Sequence, residues 1–263
     1  MFYPLAMTSV SRQFASTARL FSEEAFLRLR QAHIGVVGLG GVGSWAAEAL
    51  ARSGVGRLTL VDMDVVAEGN LNRQAQASHQ TKGMAKVQAM AQRIEAINPK
   101  AQLTLVDAFL SLENIDEVFG ENTAEATRLG KPSFWIDACD DYEAKLLMIR
   151  YFRQRERPRH LIVSGGAGGK TDPTWVRVGD LVKTFHDPLL AKLRKTLKGS
   201  PGFPGEGKLF IPVVHSDQPM KQGADCDPSA RLACAGYGSM VTVTAAMGLA
   251  AASHAMAVVT KSG

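Results

Sequence analysis

The chain predicts an α/β fold: a mainly parallel sheet with helices on both faces. Three observations carry this. Short apolar runs at 34–37 (IGVV), 58–61 (LTLV) and 134–136 (FWI) have the character of strands buried on both sides. Helix-period segments alternate with such runs as far as Leu161, the order that lays successive strands parallel. A glycine turn, Gly38-Leu39-Gly40-Gly41-Val42-Gly43-Ser44, joins the first run to a helix-forming segment at 44–53. With 263 residues and 46% hydrophobic content, the chain can fill one large core.

The glycines let the backbone turn tightly at the helix N-terminus, where free N–H groups and the helix dipole favour an anion. The run at 58–61 ends in Asp62, an acid placed to hold ribose hydroxyls. Helical patterns cover 83–98, 142–155 and 188–198, and the FWI run leads into Asp137-Ala138-Cys139-Asp140-Asp141. Acids at the carboxyl end of a parallel strand face the ligand crevice of an open sheet. One carboxylate there suits Mg²⁺, which takes few protein ligands and bridges phosphate oxygens; the competing role is to cap the following helix through Asp140 or Asp141. Residues 199–231 carry scattered prolines (Pro201, Pro204, Pro212, Pro219) and read as a long loop with one short strand at 208–211 (KLFI). Residues 232–260 hold no Asp, Glu, Lys or Arg over 29 positions, a length that can span a bilayer. Their glycines, hydroxyls, alanines and His254 favour a helix buried in the core or at a dimer interface. The first nine residues have no basic stretch before their apolar ones, so no signal peptide is expected.

A glycine turn and one acid fit NAD as well as ATP. The residues downstream separate the two. Asp62-Met63-Asp64 is trailed by Asn70, Arg73 and Lys86. Arginine forks onto phosphate oxygens and lysine acts on them as a point charge. An ATP site is therefore expected at Gly38, Gly40, Gly41, Gly43, Asp62, Asp64, Asn70, Arg73 and Lys86.

At these residues the chain resembles the E1-like (ThiF/MoeB) superfamily of ATP-dependent carboxylate-activating enzymes. GLGGVGS, VDMD, NLNRQ, the lysine of KGMAK and the strand end IDACD match its nucleotide and metal positions in order. Gly165-Gly166-Ala167-Gly168-Gly169, the DPT at 172–174, the DPL at 187–189 and the GYGSMVT at 236–242 further resemble the tRNA threonylcarbamoyladenosine dehydratase family within it. The resemblance runs from about Arg12 to Met256 and is poor over 199–231. It implies a Rossmann-like single ThiF/E1 domain over 1–263, with a nucleotide core at 12–165 and a section facing the substrate at 166–263. It also implies ATP and Mg²⁺ as cofactors, with Arg73, Lys86 and Asp140 as the catalytic residues and Asp140 on the metal. The implied reaction is cyclisation of N6-threonylcarbamoyladenosine at position 37 of tRNA, in the cytoplasm, by a homodimer. A cysteine desulfurase or SufE-like partner is implied by resemblance alone.

Charge and cysteines bound the alternatives. Between Lys145 and Lys198 stand 13 Lys or Arg against 4 acids, although the whole chain is only +5. A local excess of this kind points to a polyanion recognised by charge and shape, and Lys183, Lys192, Arg194, Lys195 and Lys198 are its expected tRNA contacts. Cys139, Cys226 and Cys234 form no CxxC pair, which excludes the zinc knot of many relatives. Their scarcity suits a reducing compartment and weighs against a thioester-forming E1. Three other readings stay open at this point: an activator of a ubiquitin-like or sulfur-carrier protein, an NAD-dependent oxidoreductase, and a tRNA-binding scaffold without catalysis.

Overall fold

A computed structural model of the chain describes residues 11–119, 130–155, 160–221 and 237–261. In chain order its elements are α1 (Ala15–Ala18), α2 (Glu23–Gln31), β1 (His33–Val37), α3 (Gly43–Ser53), β2 (Arg57–Val61), α4 (Lys86–Ile97), β3 (Gln102–Val106), α5 (Ile115–Phe119), β4 (Phe134–Asp137), α6 (Tyr142–Gln154), β5 (Leu161–Ser164), β6 (Val176–Asp180), α7 (Pro188–Leu197), β7 (Pro212–Ser216) and α8 (Val241–Val259). The seven strands run β3-β2-β1-β4-β5-β7-β6. Every pairing is parallel except β6 on β7.

The apolar runs become strands because both their faces are covered. Ile34, Val36, Leu58, Leu60 and Ile136 join a core with Leu50, Met90, Val243 and Met247, drawn from α3, α4 and α8. Val37, Val61, Trp135 and Val163 join a second core with Phe119, Ile149, Leu190 and Leu193, drawn from α5, α6 and α7. Successive strand residues point to opposite faces, so one run serves both cores. Strand order reverses between β1 and β4. The crevice for a ligand in such a sheet lies there, outside the carboxyl ends of the strands.

Helix limits follow local chemistry. Asp141 and Asp187 accept backbone N–H bonds from Ala144 and Leu190 and so start α6 and α7, the latter with Pro188 in its first turn. Gly54 ends α3 at φ 91°. The helical pattern expected from residue 83 begins only at Lys86, because Gly83 (φ 85°) and Ala85 are bound to the segment after β2: Gly83 N–H donates to Val66 O, and Ala85 pairs with Val65.

One expectation on the C-terminal side is corrected. The strand expected at 208–211 lies instead at Pro212–Ser216, and residues 208–211 are irregular, with Phe210 at φ 57°. A proline is tolerated at the first position of a strand, and here it marks the start. β6 (VRVGD) is not legible as a strand in one dimension, because only its pairing with β7 orders it. α8 is long and apolar enough to cross a membrane by length and composition alone, with 39% of its apolar window buried. Its inner face packs on α3, where a Cβ on Gly248 would stand 2.9 Å from the Ala46 nitrogen; Leu249 faces outward.

Candidate active site

The glycine turn is shaped partly by the chain and partly for something else. Gly38 sits at φ 85°, and a Cβ there would lie 2.7 Å from the Cys139 backbone. A Cβ on Gly43 would overlap the Gly38 carbonyl. Both glycines are therefore demanded by packing. A Cβ on Gly40 meets nothing within 4 Å, so the chain itself makes no such demand there. The N–H groups of Gly41, Val42 and Gly43, at the start of α3, have no acceptor among the described residues. Such free donors suit an anion.

Four bonds hold this turn in place. Asp62 Oδ2 accepts the Leu39 N–H at 2.6 Å, and Gln76 Nε2 donates to Leu39 O at 2.9 Å. Ser44 Oγ accepts the Ala75 N–H at 3.1 Å, and Trp45 Nε1 donates to Arg73 O at 3.0 Å. The segment 73–76 is thus clamped onto the start of α3, with the Arg73 backbone beside Trp45. Trp45 and Gln76 are positioning residues that sequence reasoning misses, and it reads Ser44 only as part of the helix start. A buried glutamine beside a glycine turn is visible only once the chain is folded.

Lys86 opens α4 and is almost fully buried. Its Nζ lies 2.6 Å from Asp64 Oδ2 and 3.9 Å from Asp62 Oδ1. Asp62 already accepts two backbone N–H groups, from Leu39 and from Asp64 at 2.9 Å. Burial raises its carboxyl above the ordinary range, against the pull of Lys86. The DxD therefore does two jobs: Asp62 braces the glycine turn, and Asp64 holds the lysine. The Arg73 guanidinium donates to Gly69 O at 2.6 Å and Asn72 Oδ1 at 3.0 Å. Asn70 Oδ1 accepts the Ala67 N–H at 3.0 Å, which fixes the turn that carries Arg73.

At the end of β4 the three aspartates divide. Asp137 is fully buried, and its Oδ1 receives Lys145 Nζ at 3.0 Å and the Cys139 N–H at 3.2 Å. Burial pulls the Lys145 ammonium down, but Asp137, helped by Cys139 and Asp187, outweighs it and the net shift is upward. Burial, with Asp137 adding to it, pushes the Cys139 thiol far above its usual range, so this sulfur is no nucleophile. Asp141 caps α6. Asp140 remains, exposed and without a hydrogen bond or ion pair among the described residues. Among those residues no three His, Cys, Asp or Glu side chains converge on a metal position. A lone exposed carboxylate beside an anion-binding turn fits Mg²⁺, which completes its shell with phosphate oxygens and water.

The basic segment is less free than its composition suggests. Lys145 and Lys170 are buried. Arg153 stacks on Phe203, and Arg155 stacks on Tyr151 and pairs with Asp116. Arg194 donates to Thr184 O and Oγ1 at 2.8 and 2.9 Å. Lys183, Lys195 and Lys198 are exposed. Lys192 Nζ stands 3.7 Å from the centroid of the Tyr142 ring, so α7 brings a cation to the start of α6. Arg157, Arg159, Cys226 and Cys234 lie outside the described residues.

Comparison with known proteins decides what this arrangement belongs to. The ThiF family pattern matches residues 10–263. The chain is 43% identical over 258 residues to the tRNA threonylcarbamoyladenosine dehydratase of Escherichia coli K12, spanning 93% of this chain and 92% of that one. The chain belongs to the ThiF family, in its tRNA threonylcarbamoyladenosine dehydratase branch. Within that branch it is also 39% identical to the Haemophilus influenzae protein, spanning 92% and 91% of the two chains. The E. coli dehydratase solved with ATP superposes with a TM-score of 0.80 at 41% identity, over 94% of this chain and 93% of that one. The same enzyme solved with AMP gives 0.83 at 40% identity, over 98% and 97%. For a ThiF-family chain of this branch, the NAD reading of the glycine turn falls away.

Proposed function

We propose that this chain catalyses the ATP-dependent dehydration of N6-threonylcarbamoyladenosine in tRNA, closing the side chain at position 37 to its cyclic form. The observation that carries the reading is similarity along almost the whole chain to enzymes of that name; a free-amide turn at the start of α3 supports it, with Arg73, Lys86 and Asp140 as the residues expected to act there. The chemistry is carboxylate activation. A threonyl carboxylate oxygen attacks phosphorus of ATP, expelling pyrophosphate or ADP. The ureido group of the same side chain then attacks the acyl carbon and expels AMP or phosphate. The carboxylate oxygen leaves on that phosphorus and a ureido proton passes to solvent, so the nucleoside loses the elements of one water. Ring closure gains from being intramolecular.

The protein's part is to bind, orient and neutralise. The amides at the start of α3 receive phosphate oxygens, and Arg73 and Lys86 balance the charge that grows on them. Ligand binding has to draw Lys86 partly away from Asp64. Asp140 would hold Mg²⁺, which when bound supplies further positive charge to the phosphates. Lys183, Lys192, Lys195 and Lys198 meet the tRNA backbone, with Arg194 shaping the helix that carries two of them. The partly buried Cys139 thiol, its pKa pushed up by desolvation and by Asp137, disfavours a thioester through that residue. The outward face of α8, which exposes Leu249, would suit a second copy of the chain; the cytoplasm is the compartment expected for it. The desulfurase-type partner rests on resemblance alone.

The test is incubation with ATP and tRNA carrying the modification, followed by nucleoside mass spectrometry. Loss of one water from the modified nucleoside, matched to ATP consumed, is the expected result. Adenylation of a carrier protein ending in Gly-Gly, with the nucleoside untouched, would replace this reading. Replacing Lys183, Lys192, Lys195 and Lys198 together by Ala should raise KM for tRNA and flatten the salt dependence of binding by about 0.7 to 0.9 in slope per lost contact, with ATP affinity unchanged.

A further inference from the structure

Beside the nucleotide crevice lies a hollow of about 320 Å³, lined among others by Gly169, Lys170, Thr171, Lys221, Gly238 and Ser239. Among the described residues no Asp or Glu lines it, and two lysines do. Lys170 is the unusual one. It is 1% exposed, and Ser216 O, at 2.5 Å, is its one hydrogen-bond acceptor among the described residues. Asp187 and Asp217 act on it only from beyond ion-pair distance. A buried ammonium with three donors and a single acceptor is costly. The fold tolerates it at the wall of a cavity, where an oxyanion would complete its partners.

Two backbone hydrogen bonds frame the hollow among the described residues. The Gly169 N–H donates to Gly238 O, and the Lys221 N–H donates to Gly169 O, both at 2.8 Å. Gly169 itself takes φ 70°, and a Cβ there would stand 2.9 Å from Lys221 O. The frame is joined to the nucleotide site through one side chain. Asn72 receives the Arg73 guanidinium on Oδ1 at 3.0 Å and donates from Nδ2 to Ser239 O at 3.2 Å. A group in the hollow therefore neighbours the arginine expected on the ATP phosphates.

We propose that this hollow is the acceptor subsite, taking the threonylcarbamoyl substituent of the modified adenine with its carboxylate on Lys170 and Lys221. The inference rests on the dehydratase reading above. Size agrees: at about 30 Å³ for each water-sized group, the hollow admits about ten heavy atoms, comparable to that substituent. Polarity agrees too, since Thr171 and Ser239 offer hydroxyls for the threonyl side chain and ureido group. Asn72 then orients the two halves of the reaction, holding Arg73 on one side and the lip of the subsite on the other. An RNA phosphate has the same oxyanion chemistry, and the test separates the two.

Lys221 is exposed, so Lys221→Ala removes a charge without opening the core; Lys170→Met is the stronger variant. Wild type and both variants are titrated, with a non-hydrolysable ATP analogue present, against three probes. These are the free threonylcarbamoyladenosine nucleoside, its threoninol analogue lacking the carboxylate, and unmodified tRNA. The expected result is a loss of about tenfold or more for the nucleoside, the scale of one charge-assisted bond. The threoninol analogue should bind weakly and equally to all three proteins, and unmodified tRNA should bind unchanged. In turnover, KM for modified tRNA rises and KM for ATP does not. Unchanged nucleoside affinity in Lys221→Ala, or an equal loss for unmodified tRNA, overturns the proposal, the second by assigning the hollow to a phosphate. A wild-type protein that consumes no ATP with modified tRNA defeats the dehydratase reading instead, whatever the variants do.

Discussion

Two glycine turns stand at the carboxyl ends of the sheet, residues 38–43 after β1 and 165–169 after β5, and they share a plan. In each, some glycines serve the chain's own packing: Gly38 and Gly43 in the first, Gly165 and Gly169 in the second. In each, one glycine, Gly40 or Gly166, borders open space. Each is braced by one aspartate accepting a backbone N–H, Asp62 from Leu39 and Asp187 from Gly166 at 2.8 Å. They differ in their continuations. The first opens directly into an eleven-residue helix and offers amides. The second leads to a buried lysine and a frame built from residues 216, 221 and 238. On the proposed function, an anion at the first turn would meet backbone dipoles together with Arg73 and Lys86; at the second it would meet side-chain charge alone. A reaction that joins a nucleotide phosphate to a substrate carboxylate needs two anion sites that do not compete, and two different chemistries provide that.

The comparison breaks most sharply at Asp140 and Asp141. Asp140→Asn should abolish turnover with the melting temperature within a few degrees. Asp141→Ala should do the reverse, losing the cap of α6 and about 1 kcal/mol with turnover largely kept. Thermal melts and ATP consumption on both variants read this out, and an unfolded Asp140→Asn would make that residue structural.

Next in size are the cations of the first turn. Arg73→Ala and Lys86→Ala should each cost about 10²-fold or more in kcat/KM, the scale of one stabilising group. Only Lys86→Ala should also lower stability, because it leaves the half-buried Asp62 without its cation. Calorimetry that shows ATP binding intact in both variants would move these residues out of the nucleotide site.

Within the first turn, Gly40→Ala should fold normally and weaken ATP binding, whereas Gly43→Ala should destabilise by more than about 3 kcal/mol because its Cβ overlaps a carbonyl. Equal behaviour of the two would mean that neither glycine is reserved for a ligand.

The smallest effect on turnover lies at the other end of β1. His33 is buried, with Nε2 2.8 Å from Thr59 Oγ1, and burial, helped by Arg57, lowers its pKa from 6.5 to about 4. The neutral ring is the folded form, so the unfolded chain binds the extra proton between these values. Stability is full above pH 6.5 and falls as pH drops toward 4, by up to about 3 kcal/mol. Denaturant melts across that range should show the slope in wild type and lose it in His33→Gln. A slope unchanged in the variant would assign the acid limb to other groups.

The sequence by itself determined the nucleotide half. Apolar runs buried on two faces, a glycine turn at a helix start and the order Asp62, Asp64, Asn70, Arg73, Lys86 are local patterns, and local patterns survive reading in one dimension. It also raised capping of the next helix by Asp140 or Asp141 as the competing role to metal binding, without deciding between them. Only the tertiary structure decided the rest. It gave the cap to Asp141 and left Asp140 exposed, it tied Lys86 to Asp64, and it used Ser44, Trp45 and Gln76 to press the arginine turn onto α3. It moved the last parallel strand to Pro212–Ser216 and turned part of a basic run into stacking and capping groups. The hollow beside Lys170 is wholly of this second kind. Its walls come from stretches about fifty and seventy residues apart, and a lysine's burial depends on what packs around it rather than on its neighbours in the chain.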